Sequence, residues 1–85
     1  MTYSLIVEKS VLKRLKKIPP KFALKLVFRM LELNNGHPSD AKALTGDWQR
    51  YWRTRVGDYR IIYSIDDDVI IVAVVGHRKD VYDNP

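Results

Sequence analysis

Hydrophobic and polar positions alternate with different periods in successive parts of this chain. Tyr3, Leu5 and Val7 alternate with Ser4 and Ile6, which predicts a short strand over residues 2–7. From Lys9 or Ser10 the period lengthens. Val11, Leu12, Leu15 and Ile18 fall on one helical face, with Lys9, Lys13, Lys16 and Lys17 on the other. Pro19-Pro20 stops this helix, and Pro20 fits the first turn of the next. The second helix is predicted to run to about Leu33. Its apolar residues Phe22, Ala23, Leu24, Leu26, Val27, Met30, Leu31 and Leu33 are broadly spread, and Lys21, Lys25, Arg29 and Glu32 form a wet stripe. Asn34-Asn35-Gly36 supplies the stop, because Asn and Gly tolerate the left-handed conformation.

Residues 37–46 read as a linker punctuated by Pro38, Ser39, Asp40 and Gly46. Three strands follow, at roughly 48–55, 59–66 and 69–76, with Gly57-Asp58 and Asp67-Asp68 where two-residue hairpin turns belong. The predicted fold is α+β in one domain spanning residues 1–85. An N-terminal strand, a helical hairpin and a three-stranded antiparallel meander form one sheet with the helices on one face.

Register turns this outline into a site. A two-residue turn at Gly57-Asp58 sets Arg55 opposite Arg60, Arg53 opposite Ile62 and Tyr51 opposite Ser64. A second turn at Asp67-Asp68 sets Ile62 beside Ala73 and Arg60 beside Val75. Trp52, Tyr59, Ile61, Tyr63, Ile65, Ile70, Val72 and Val74 then floor the helices. The face carrying Tyr51, Arg53, Arg55 and Arg60 is expected to be open. Directly opposed like charges destabilise a sheet by up to about 1 kcal/mol. A phosphate gripped between two guanidinium forks reverses that sign. His77, Arg78, Lys79 and Tyr82 follow the last strand and are expected at the same end, with His77 next to Asp58 and near Arg60.

Charge supports the same direction. The net charge is +5, and residues 1–35 carry eight Lys/Arg against Glu8 and Glu32. A basic half on so small a domain is a footprint for nucleic acid or an acidic protein. Cysteine is absent, so neither a disulfide nor a thiolate metal site is available, which suits a reducing cytoplasm. The longest apolar run, Val69–Val75, is too short to span a bilayer. Neither a Gly-rich phosphate loop nor a His/Cys pair with metal spacing is present, and no cofactor or metal is called for. Asp66-Asp67-Asp68 reads as a solvated turn, His37 as a surface linker residue, and Trp48 and Trp52 as core or rim.

Metal-free RNA cleavage needs a base for the 2′-hydroxyl, positive charge on the pentavalent phosphate and an acid for the leaving 5′-oxygen. Arg53, Arg55, Arg60 and Arg78 suit the charge-stabilising role. Tyr51, His77, Lys79 and Tyr82 are the candidates for proton transfer or base stacking.

The element order resembles that of the RelE/ParE superfamily of type II toxins. So do Leu44-Thr-Gly46, Arg55-Val-Gly-Asp-Tyr-Arg60-Ile-Ile-Tyr63 and Gly76-His-Arg-Lys-Asp-Val-Tyr82. The RelE branch implies a ribosome-dependent mRNA endoribonuclease that enters the 70S A site, cuts the codon there and inhibits translation. An acidic, RelB-like antitoxin would neutralise it. By that resemblance Arg60 stabilises the phosphate, Arg78 assists the leaving oxygen, Tyr82 stacks on or orients the RNA, and Arg55 is a cationic strand position. Lys13, Lys16 and Lys17 would grip ribosomal RNA. Where well-known relatives carry two lysines on the first meander strand, this chain has Tyr51 and Arg53, and Arg is a poor base because its pKa exceeds about 12. The alternatives are a ParE-like toxin directed at DNA gyrase and a non-catalytic RNA-binding module.

Overall fold

The computed structural model describes residues 2–79. Five strands form one sheet: β1 (Ser4–Val7), β2 (Lys42–Ala43), β3 (Tyr51–Val56), β4 (Tyr59–Asp66) and β5 (Val69–His77), in the order β1-β5-β4-β3-β2. β1 runs parallel to β5, and the remaining pairings are antiparallel. Helices α1 (Lys9–Leu15) and α2 (Pro20–Glu32) lie between β1 and β2, and a 3-10 turn at Leu33–Asn35 extends α2. Pro20 occupies the first turn of α2, where its missing N–H costs nothing, and Pro19 O accepts from Phe22 N and Ala23 N.

Both predicted hairpin turns form. Val56 pairs with Tyr59 across Gly57-Asp58, and Asp66 with Val69 across Asp67-Asp68. Gly57 (φ 61°) and Asp67 (φ 57°) take the left-handed conformation at the first turn position, tolerated by Gly and, among other residues, by Asp. The helix-side core gathers Val11, Ile18, Leu26, Met30 and Leu33 over Ile61, Tyr63, Ile70, Val72 and Val75.

Four expectations are corrected. A bulge between Ile62 and Tyr63 breaks the β4–β5 register: Tyr63 pairs with Val72 but Ile62 with Val74, leaving Ala73 unpaired. Val75 therefore takes the helix-side place expected of Val74, and Arg60 faces Gly76 rather than Val75. Second, residues 46–48 form a 3-10 turn, so β3 starts at Tyr51, and the expected linker contains β2. Third, the face opposite the helices is not fully open. Leu44 and Ile62 are buried there against Trp48, Tyr51 and Val74. Fourth, Leu12 is about half exposed (49%) instead of joining Val11 in the core. Leu24, Val27, Phe28 and Leu31, at helical spacing on α2, likewise form an exposed apolar stripe.

Two leucines on α2 give the contrast that tests this packing. Leu26→Ala empties a fully buried position and is expected to cost about 2–5 kcal/mol in chemical denaturation. Leu24→Ala, on the exposed stripe, is expected to stay within about 0.5 kcal/mol.

Candidate RNA-binding and catalytic site

Cross-strand pairing assembles the cationic row that the turns imply. Arg55 lies directly opposite Arg60, and Arg53 sits two residues along the same face. Arg60 pairs with Gly76, which has no side chain, and two residues further on Arg78 returns to the Arg60 side. Arg55, Gly57, Asp58, Arg60 and Arg78 line one small cleft of about 120 Å³. Arg78 is held there twice: its N–H donates to Asp58 O (2.7 Å), and its Nε lies 4.0 Å from Asp58 Oδ1.

The electrostatics record the crowding. Burial, then the charge of Arg55, lowers the Arg53 pKa, while Asp40 acts in the opposite sense. Burial, then Arg55, Arg53 and Arg78, lowers that of Arg60. Both remain cations at neutral pH, since guanidinium is not deprotonated in proteins. Arg53 is only 7% exposed, and its buried Nε has no hydrogen-bond partner among the described residues. The β2–β3 register adds a cation that sequence reasoning missed. Lys42 pairs with Arg53 and so shares its face. A two-residue strand leaves too little periodicity to be seen.

A second missed feature fixes the Arg55 end. β2 stops at Lys42, leaving the outer edge of β3 unpaired at Arg55, where residue 40 would come next. Two side chains replace the missing strand. Asp40 Oδ2 accepts from Arg55 N (2.9 Å), and Arg29 Nη1 of α2 donates to Arg55 O (3.0 Å). The two are joined through buried Thr54, whose Oγ1 accepts from Arg29 Nη1 (2.7 Å) and donates to Asp40 Oδ1 (2.6 Å). The ion pair therefore satisfies the backbone of a strand carrying the Arg row and ties that strand to α2.

His37 is exposed, as expected, yet its ring also packs against the sheet. Its Nδ1 lies 2.8 Å from Tyr63 Oη and its ring 4.0 Å from that of Trp52. Burial, then the Asp40 charge, raises the Tyr63 pKa, so this phenol keeps its proton and can donate it to Nδ1.

The other candidates are scattered. Tyr51 is four residues, or about 13 Å, along β3 from Arg55, and it packs edge-on to Trp48 (5.3 Å, 82°). His77 does not pair with Asp58 on the Arg60 face; Arg78 meets Asp58 instead. The Ala73 bulge pairs it with Tyr59 on the helix side. Lys79 N donates to His77 Nδ1 (3.2 Å). Lys13, Lys16 and Lys17 are exposed on and just after α1. Tyr82 lies outside the described residues.

Solved structures share this architecture. The RelBE2 toxin–antitoxin complex of Mycobacterium tuberculosis matches with a TM-score of 0.81 and 26% identity, over 92% of this chain and 100% of that one. The RelE–RelB complex of the archaeon Pyrococcus horikoshii matches with a TM-score of 0.78 and 28% identity, over 95% and 100%. The toxin RelE3 of Methanocaldococcus jannaschii is 34% identical over 80 residues, 88% of this chain and 90% of that protein. Residues 5–82 match the ParE toxin family of type II toxin–antitoxin systems (parDE), and the chain belongs to that family. Within the wider RelE/ParE superfamily, the Pyrococcus and Methanocaldococcus proteins it resembles are RelE toxins.

The edge clamp has a pH signature. Burial would raise the Asp40 pKa, but hydrogen bonds from Thr54 and from Arg55 N–H, with the charge of Arg29, together lower it below the ordinary value of 3.8. A carboxyl lowered on folding contributes stability that is present above its unfolded pKa and lost as pH falls through the folded one. Asp40→Ala is expected to cost about 1–2 kcal/mol at pH 7. The difference from wild type should shrink once the pH drops below about 4, as followed by urea denaturation across that range.

Proposed function

We propose that this toxin is a metal-independent endoribonuclease that cuts mRNA in the ribosomal A site and so inhibits translation in the cytoplasm. The observation that carries this reading is the cleft formed by Arg55, Arg60 and Arg78. In the proposed step the 2′-oxygen attacks phosphorus and loses its proton to a base. The P–O5′ bond breaks and O5′ gains a proton, leaving a 2′,3′-cyclic phosphate and a 5′-hydroxyl. Arg55 and Arg60 hold the non-bridging oxygens as negative charge grows, and Arg78 steadies the departing O5′. Guanidinium groups cannot take the 2′ proton. Tyr82 and Lys79 stand as the candidates for that base, and the ribosome supplies the substrate geometry.

The proposed partner is an acidic, RelB-like antitoxin. Two relatives were solved in complex with RelB or within RelBE2. This chain offers a net charge of +5 and an α2 stripe of Leu24, Val27, Phe28 and Leu31 bordered by Lys21 and Lys25, suited to an acidic amphipathic segment. The family match to ParE toxins keeps a second reading in play, a toxin directed at DNA gyrase. Among the described residues no helix is long and apolar enough to cross a membrane.

Primer extension on a defined mRNA, with and without programmed ribosomes, separates the readings. Cuts inside the A-site codon that need ribosomes are expected, with Arg60→Ala reducing them about 100-fold or more. Intact mRNA together with inhibited gyrase supercoiling would favour the second reading.

A further inference from the structure

The Ala73 bulge creates a second cationic cleft on the reverse side of the same sheet end. His77 and Tyr59 pair across β5 and β4, their rings edge to face at 5.5 Å and 80°. They border a cavity of about 350 Å³ whose other lining residues are Arg14, Lys17, Ile18 and Gly76. That volume lies in the range of about 300–1,000 Å³ usual for a small-ligand site. Arg14 stands in the last turn of α1, and Lys17 N donates to Arg14 O (2.9 Å). The negative end of the helix dipole offsets part of their mutual repulsion, so the two cations can stand together before anything binds. His77 Nδ1 accepts from Lys79 N (3.2 Å), which leaves Nε2 as the donor of the neutral ring. No carboxylate is among the described lining residues.

Two cations, a ring N–H donor and two aromatic edges are the chemistry that holds one nucleotide of a single strand, its phosphate between the cations and its base against the rings. Gly76 belongs to both sides of the sheet end. It lines this cavity and pairs with Arg60 of the opposite row. We propose that the cleft of Arg14, Lys17, Tyr59 and His77 is a second RNA subsite. It takes a nucleotide neighbouring the one whose phosphate lies on Arg55, Arg60 and Arg78, so the strand bends over the sheet end at Gly76. The inference rests on the RNA-cleaving reading above and gives His77 a binding role in place of a catalytic one.

The test uses a 2′-O-methyl RNA trinucleotide, which lacks the attacking hydroxyl, titrated at constant ionic strength into the full ¹⁵N-labelled chain. Amide shifts are expected both around Arg14–Ile18 and His77 and around Arg55–Arg60. The double substitution Arg14→Gln/Lys17→Gln changes only exposed side chains and is expected to weaken binding roughly tenfold while the shifts around Arg55–Arg60 persist. Lys9→Gln/Lys25→Gln removes the same charge elsewhere, and an equal loss there would reduce the effect to diffuse attraction and overturn the subsite. Shifts confined to Arg55–Arg60 would overturn the subsite and leave the cleavage reading standing. Shifts confined to the helix side would keep a nucleotide site and count against that reading. No shift on either side at millimolar trinucleotide would overturn the inference, with primer extension deciding the cleavage reading independently.

Discussion

Repulsion among Arg53, Arg55, Arg60 and Arg78 is the constraint around which this small sheet is organised. Each lies within electrostatic reach of another, and burial removes the solvent that would screen two of them. Nothing in folding requires four guanidinium groups at one end of one sheet. Their free-energy cost is offset by features that hold the row in place: a tight turn at Gly57-Asp58, the Asp58 contacts to Arg78 and the side-chain clamp on Arg55. A bound phosphate would turn the same repulsion into attraction, which links the strained ground state to an anionic ligand.

The surrounding packing serves that arrangement. Leu44, Trp48 and Tyr51 build a second apolar cluster around Ile62, on the face that also carries Arg53. The helix-side core anchors α2, and α2 supplies Arg29, which reaches Thr54 and the backbone of Arg55. A change deep in the α2 packing is thereby connected to the position of a charged strand about one helix diameter away. The apolar stripe left on the outer face of α2 is the surface proposed above for the antitoxin.

Much of this was legible in residue order, because period and turn chemistry are local. Gly57-Asp58 and Asp67-Asp68 fix the hairpins, and the alternation through Tyr59–Ile65 fixes which side faces the helices. The misreadings arise where local rules carry no information. Val69–Val75 is a continuous apolar run without parity, so nothing in it marks Ala73 as the bulged residue. That single extra residue exchanges Val74 for Val75 and sends His77 to the other face. The Asp40–Arg29 clamp joins a turn residue and a helix residue 11 apart through Thr54 on β3, a relation visible only in three dimensions. Lys42 was missed because its strand is too short to show a period, Arg14 was visible only as one cation of the basic half, and Tyr82 falls outside the described residues.

If the arginines are held for a ligand and against folding, removing the most buried one should make the free protein more stable. Arg53→Met keeps the packed stem while deleting the buried, unpartnered Nε and its charge. The measurement is the melting temperature of this variant beside wild type in low salt without phosphate. The account expects a rise of about 4–8 °C for each kcal/mol gained. A fall would contradict it, and would make Arg53 a structural residue whose place in the row is incidental.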